Sequence, residues 1–168
     1  MRKSIAVAAA ILLIAFAGAC GKEKQADLEK LKSFEIANFD AKTAPPKPVA
    51  LPQNQVVVVP DDIKGKYKAV TVAIGNRKTK EVKQFKVKIG GEAAVPGTNY
   101  RIKVMSYLPN WTMRGNVVTS KDDKQLDPAI RATIFENGKQ VFDGFIFQRH
   151  ETPSFMTEDY AIGLLGAS

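Results

Sequence analysis

Two side chains that build many functional sites are almost absent from this chain of 168 residues, which has one cysteine, Cys20, and one histidine, His150. A single cysteine excludes an internal disulfide and a cysteine-based metal cluster, and a single histidine excludes a histidine-rich metal site. No Ser-His-Asp arrangement and no glycine-rich phosphate loop stands out. We therefore predict no catalytic residue, no cofactor and no metal. His150 is interpreted as a strand-end residue, with a role as a general base as the alternative.

Charge is absent from residues 5–19, and the two residues Arg2 and Lys3 precede this apolar run. The run is shorter than the roughly 20 residues that a membrane-spanning helix needs. A positive start, an apolar stretch and small residues at its end predict a secretory signal peptide over residues 1–19. A retained membrane anchor is the alternative.

The end of this signal, Ala17-Gly18-Ala19-Cys20, resembles the bacterial lipobox, in which small residues precede the cysteine that receives lipid. The resemblance implies cleavage before Cys20, a thioether between its thiol and a diacylglyceryl group, and acylation of the new amino group. Two or three acyl chains hold a protein on a membrane almost permanently, because each buried methylene contributes about 0.8 kcal/mol. The alternative is that Cys20 is an ordinary residue of the cleavage region.

Residues 20–65 are predicted to be a lipidated N-terminus followed by a flexible, proline-rich tether. Prolines at 45, 46, 48, 52 and 60 favour an extended spacer over helix or sheet. Leu28, Leu31 and Ile36 are spaced for a short amphipathic helix within residues 22–39, although no cap supports a stable one. The valine-rich stretch 55–59 is predicted to dock on the following domain as an edge strand.

Residues 66–168 are predicted to form one all-β domain, an antiparallel sandwich or small barrel of six to seven strands. Asn137-Gly138 is the sequence of a tight type I′ hairpin turn, and Gly144 among aromatic residues indicates a bulge or a close backbone approach. Residues 109–128 show no clear period and are predicted to be a long loop. The predicted strands cover 67–74, 81–89, 99–108, 130–136, 139–147 and 160–165.

Basic residues alternate with apolar ones on two of these strands. Lys86 and Lys88 lie on one strand, and Arg101 and Lys103 share the predicted outer face of another with Met105 and Tyr107. If the two strands pair, the four cations form one basic face, which is our candidate site for an anionic ligand such as a lipid headgroup, lipopolysaccharide or glycan. The alternative is an ordinary solvated face.

The predicted loop suggests two further sites. Tyr107 and Trp111 form a candidate partner-binding loop, because these side chains bury much area at low entropic cost; the alternative is that Trp111 caps the core. Asp122, Asp123 and Asp127 offer oxygen atoms of the kind that calcium prefers, but their spacing lacks the alternating ligands of an EF-hand. We interpret them as a polar loop, with metal binding as the alternative.

Near the C-terminus, the segments 141–147, 153–154 and 159–162 resemble an exported bacterial family, the domain-of-unknown-function family 2155. The shared features are a Phe-x-Gly-aromatic-x-Phe run ending at Phe147, then Pro153, then a closing strand with Tyr160. The resemblance spans residues 68–166. It implies a β domain and an exported setting, and it lends no catalytic residues.

Together these observations predict an envelope lipoprotein that is a non-catalytic accessory module for an envelope protein complex and does not bind nucleic acid. Gly21, rather than aspartate, follows Cys20, and this resembles the outer-membrane sorting pattern; the plasma membrane of a Gram-positive cell is the alternative. Two other functions remain open. One is binding of an anionic ligand by the basic face, and the weaker one is a hydrolytic enzyme with an unrecognised site.

Substitution of the predicted lipid-bearing residue tests the localisation. The variant Cys20→Ser has no thiol to form the thioether, so it should take up no labelled palmitate and should leave the membrane fraction. Fractionation of cells that express each form from the same plasmid measures this. A variant that stays in the membrane as firmly as the parent protein would contradict lipidation.

Overall fold

A computed structural model describes residues 55–149 and 154–168. Every regular element in these two ranges is a β-strand, so the prediction of an all-β fold is confirmed. No helix among them is long and apolar enough to cross a membrane. The predicted signal peptide, Cys20, the helix predicted within residues 22–39, most of the predicted tether and His150 lie outside the described residues.

In residues 55–149 and 154–168, eleven strands form three sheets. Two sheets have four strands each, in the orders β10-β11-β2-β3 and β4-β5-β8-β9, and the third has the order β1-β7-β6. All neighbouring strands are antiparallel except β1 and β7. The strands are β1 Val56–Val57, β2 Ala69–Asn76, β3 Val82–Lys88, β4 Glu92–Ala94, β5 Tyr100–Leu108, β6 Trp111–Arg114, β7 Val117–Ser120, β8 Ala129–Glu136, β9 Lys139–Phe147, β10 Phe155–Met156 and β11 Tyr160–Ala167.

The two four-stranded sheets enclose one apolar core and are consistent with the predicted sandwich. Alternation decides which side chains enter this core, because successive residues of a strand point to opposite faces. Val70, Val72 and Ile74 of β2 meet Ile102 and Val104 of β5 there. The outward residues of β5, Arg101 and Lys103, are exposed.

The turn between β8 and β9 has the backbone conformation that its Asn-Gly sequence favours. Asn137 has φ 51° and Gly138 has φ 83°, and a type I′ turn needs positive φ at both central residues. The register continues directly from this turn, since Glu136 pairs with Lys139. The predicted hairpin is therefore confirmed.

Residues 109–128 contain a second hairpin, so the prediction of a loop there is wrong in part. Strands β6 and β7 pair from Trp111–Ser120 to Arg114–Val117, and Gly115 in the intervening turn has φ 60°. Each strand has only four residues, too few for a clear alternation. The Gly115-Asn116 pair is a known hairpin signal, and it is the local feature that identifies this turn.

The third sheet packs on the outer face of the β4-β5-β8-β9 sheet. Leu108, Ala129 and Phe145 point outward from that sheet and form a second buried cluster with Val118 of β7. Val57 and Val59 pack against the same cluster, and the Val58 amide donates to the Val118 carbonyl at 2.9 Å. The predicted docking of residues 55–59 as an edge strand is confirmed, and packing begins before residue 66.

A β-bulge in β5 moves Tyr107 to the face opposite the one predicted. The register with β8 shifts between Val104 and Ser106, which leaves Met105 as the extra residue. Tyr107 therefore points into the main core with Ile130, while Leu108 points outward into the second cluster. The prediction that Tyr107 shares a face with Arg101 and Lys103 is wrong, because one inserted residue reverses the alternation.

Gly144 allows a close approach of the Phe142 ring. A Cβ atom at residue 144 would lie 2.8 Å from Cζ of Phe142, closer than two carbon atoms tolerate. The ring cannot retreat freely, because it packs edge-on against Phe155 with centroids 5.8 Å apart. The sequence predicted a bulge or a close backbone approach at this glycine, but the close neighbour is a side-chain ring, and the bulge of β9 lies at Val141.

This contact predicts a specific coupling between two residues. Gly144→Ala should lower the free energy of unfolding by about 1–3 kcal/mol, because the new methyl group displaces the Phe142 ring. In a Phe142→Leu background the same change should cost less, since the obstructing ring atoms are gone. Urea unfolding of the four proteins measures the coupling. An equal cost in both backgrounds would show that the ring is not the obstacle.

Candidate functional site

The four residues of the predicted basic face lie on two different sheets. Lys86 and Lys88 belong to β3, which pairs with β2, and Arg101 and Lys103 belong to β5, which pairs with β4 and β8. The inward faces of β3 and β5 share the core, so their outward faces point in opposite directions. The condition for one continuous basic face, pairing of these strands, is not met.

The four cations also differ in their ion pairing. Arg101 Nε lies 2.5 Å from Glu92 Oε1 across the β4-β5 ladder, so its charge is largely compensated. Lys86, Lys88 and Lys103 are exposed and form no ion pair with any residue that the structure describes. Lys86 and Lys88, two residues apart on the outer face of β3, are thus the uncompensated pair.

Neither member of the predicted partner-binding loop projects freely from the surface. Tyr107 is 3% exposed, and its hydroxyl donates to Gln125 Oε1 at 2.9 Å. Its ring meets Tyr67 edge-on at 4.9 Å. Trp111 is half-buried on the second cluster, 4.8 Å from the Phe147 ring. Tyr107 is thus a core residue, and Trp111 packs, partly buried, against the second cluster, as in the alternative weighed for Trp111.

The predicted acidic stretch is tied into local structure. The Asp122 carboxylate accepts hydrogen bonds from the Asn110 side-chain amide and the Lys124 backbone amide, both at 3.0 Å. Asp123 pairs with Lys66, whose ammonium lowers the pKa of that carboxyl group. In residues 55–149 and 154–168, no group of three or more histidine, cysteine, aspartate or glutamate side chains is arranged to hold a metal ion.

A cleft lies where the edges of the two large sheets meet, and sequence reasoning missed it. Its volume is about 280 Å³. Strand β9 is the edge of one sheet and β10 is the edge of the other. Residues distant in the chain line the cleft, so only the topology brings them together: Tyr100, Glu136, Val141, Phe142, Ser154, Phe155, Met156 and Thr157.

The lining of this cleft is mostly aromatic and aliphatic. The Tyr100 and Phe155 rings pack edge-on with centroids 5.6 Å apart, and Phe142 continues the row. Val141 is 41% exposed at the rim, because a second bulge pushes it out of the β8-β9 register. The cleft can therefore accept an apolar group at its rim without moving the core.

Glu136 supplies the charge of the cleft. Burial, and then the neighbouring Glu136 carboxylate, raise the pKa of Tyr100 above its ordinary value. The phenol therefore stays neutral at physiological pH, and among the described residues that line the cleft only Glu136 carries a formal charge there. An apolar cleft with one carboxylate suits a ligand that combines an apolar group with a positive charge.

Comparison with protein-family models, curated proteins and solved structures gives no match. The resemblance of residues 68–166 to the domain-of-unknown-function family 2155 therefore stays a prediction.

The burial of Tyr107 predicts a loss of stability at alkaline pH. Burial raises the pKa of its hydroxyl well above the ordinary value. Above about pH 10 the unfolded chain releases this proton and the folded chain keeps it, so stability falls by about 1.4 kcal/mol per pH unit. Tyr107→Phe should make this slope shallower by about one proton, as measured by urea unfolding between about pH 8 and 11. An unchanged slope would contradict the buried position.

Proposed function

We propose that the protein is a membrane-anchored envelope lipoprotein whose β sandwich is a non-catalytic accessory module for an envelope protein complex. Support for the anchor comes from residues 1–19, which read as a signal peptide, and from the lipobox-like sequence that ends at Cys20. Gly21 supports the outer membrane, with the domain facing the periplasm or the surface. The plasma membrane of a Gram-positive cell is the alternative location.

The cleft between β9 and β10 carries the proposal of a protein partner. An edge strand offers unpaired backbone groups that an extended segment of another chain can join. Here two such edges, one from each sheet, lie beside an apolar cleft. A partner segment that adds to one edge would place alternate side chains toward the cleft, so backbone pairing and side-chain burial act together.

The side chains that line the cleft indicate which side chains the partner segment carries. Phe142, Phe155 and Val141 favour an apolar anchor, and Glu136 favours a lysine or arginine close to it. Negatively charged segments are disfavoured because the Glu136 carboxylate has no cation beside it among the described residues that line the cleft. The proposed ligand is therefore an extended protein segment that is apolar at one position and basic beside it.

A binding role suits this cleft better than catalysis. General acid–base chemistry needs paired titratable groups at hydrogen-bonding distance, and the cleft supplies one carboxylate and one tyrosine whose pKa is raised. The residues that the structure describes include no histidine. A hydrolytic enzyme remains the weakest of the three functions.

Binding of an anionic ligand is the second candidate, and the uncompensated pair Lys86 and Lys88 favours it. Each lysine close to an anionic lipid surface contributes about 1 kcal/mol, so two lysines give weak binding that salt abolishes. Lys103 lies on the opposite face and cannot join them. Salt would abolish this interaction, whereas it would only weaken binding in the cleft, where the apolar anchor remains buried.

A photo-crosslinking residue in place of Val141 tests the proposed partner site. Val141 is exposed at the rim, so the replacement should leave the fold intact. In illuminated cells it should form one prominent adduct with an envelope protein, identified by capture through a C-terminal tag and mass spectrometry. A second substitution in the same protein, Glu136→Gln, should lower the yield of that adduct severalfold, because it removes the charge that pairs with the basic residue of the partner segment.

The matched control places the same crosslinker at Leu126, which is 52% exposed and lies outside the cleft. Position 126 should give no comparable adduct. Equal adducts from both positions would show that the cleft is not the site. Adducts of lipid or glycan alone, lost at high salt, would favour the anionic ligand instead.

A further inference from the structure

The outer face of the β10-β11-β2-β3 sheet is buried although it points away from the core. On β2, Val72 and Ile74 enter the core, so Ala73 between them points outward. Ala73 is 0% exposed, and Ala161 on the neighbouring strand is also 0% exposed. Leu165, at the bulge in β11, is 4% exposed. Apolar groups on a solvated outer face would not be so completely removed from water.

The described residues account for only part of this burial. Val82 is the one apolar side chain among them that packs against Ala73 and Leu165. A leucine and two alanines are thus nearly or fully buried on the side of the sheet that lies opposite the core.

The shape of this face suits a covering element that packs closely. Its central positions on β2 and β11 are small: Ala69, Thr71, Ala73, Gly75, Ala161 and Gly163. Small residues let a second backbone approach to a short distance and gain dispersion contacts along its length. By contrast Gln84, Lys86 and Lys88, at the β3 border of the same face, are exposed, so the cover extends over β2 and β11 and stops at β3.

We propose that residues 22–39 of this same chain cover the face. Leu28, Leu31 and Ile36 in this segment are spaced for one side of an amphipathic helix. A short helix without caps is marginal in water and needs an apolar surface to stabilise it. The outer face of the sheet supplies such a surface.

Chain length is consistent with this occupant. Residues 40–54 join the segment to Gln55, and fifteen residues reach up to about 50 Å when extended. A domain of this size has a radius of gyration of only about 13 Å, so the chain can cross from β1 to the far sheet.

Docking of this segment would fix the position of the domain relative to residue 22. A free tether would let the sandwich swing, but a docked segment 22–39 holds residue 22 beside the outer face of one sheet. The inference does not depend on lipidation, because it concerns contacts within the chain.

Cysteine cross-linking in the full chain tests the inference. All variants carry Cys20→Ser, so that the two introduced cysteines are the only thiols and lipidation plays no part. Gln84→Cys places a thiol on the face beside Ala73, its partner in the β2-β3 ladder, and Ser33→Cys places one in the segment without removing any of its three docking residues. A short bismaleimide should join them within one molecule, as read by mass spectrometry of the linked peptides.

The matched control pairs Ser33→Cys with Lys103→Cys, which is also exposed but lies on the outer face of the other sheet. We expect at least about tenfold more intramolecular product with residue 84, since burying one leucine side chain corresponds to about that factor or more. Leu31→Glu should abolish this preference, whereas Lys30→Glu, on the opposite side of the predicted helix, should preserve it.

Three results would overturn the inference. The first is an equal yield with residues 84 and 103. The second is product that joins two molecules, which would assign the cover to a second copy of the chain. The third is an undiminished yield in Leu31→Glu, which would show that proximity does not depend on the apolar residues.

Discussion

The single inserted residue at Met105 determines how the third sheet is held. Without the bulge, Tyr107 would point outward with Arg101 and Lys103, and Leu108 would point into the main core. With the bulge, Tyr107 fills the core and Leu108 becomes the centre of a second cluster with Val118 and Phe145. That cluster anchors β7, and β7 in turn pairs with β1. One change of register thus attaches the N-terminal strand to the sandwich.

Much of the fold was predictable because it rests on local signals. The Asn137-Gly138 turn and the alternation around Ile102 and Val104 each act over a few residues, and the structure agrees with both. The hairpin β6-β7 was missed because four-residue strands show no period. Its Gly115-Asn116 turn was nevertheless readable from the sequence.

The candidate sites were less predictable because they depend on pairing between distant segments. The alternation in the sequence puts Lys86 and Lys88 on one surface with Arg101 and Lys103 only if β3 pairs with β5. No local signal in the sequence determines which strands pair. The bulge at Met105 likewise has no sequence signature, so Tyr107 was assigned to the wrong face. The cleft combines Tyr100, Phe142 and Phe155 from three strands, and only the completed topology brings them together.

The outer faces of the two large sheets now have different roles. Strands β6 and β7 cover part of the β4-β5-β8-β9 sheet, and the burial of Ala73 and Leu165 calls for a cover on the other sheet. If both faces are covered from within the chain, a partner protein cannot use them extensively and must approach along an edge. The β9-β10 side is where an apolar cleft and two edges coincide. Intramolecular cover of the faces and recognition of a partner at the edge are therefore mutually consistent.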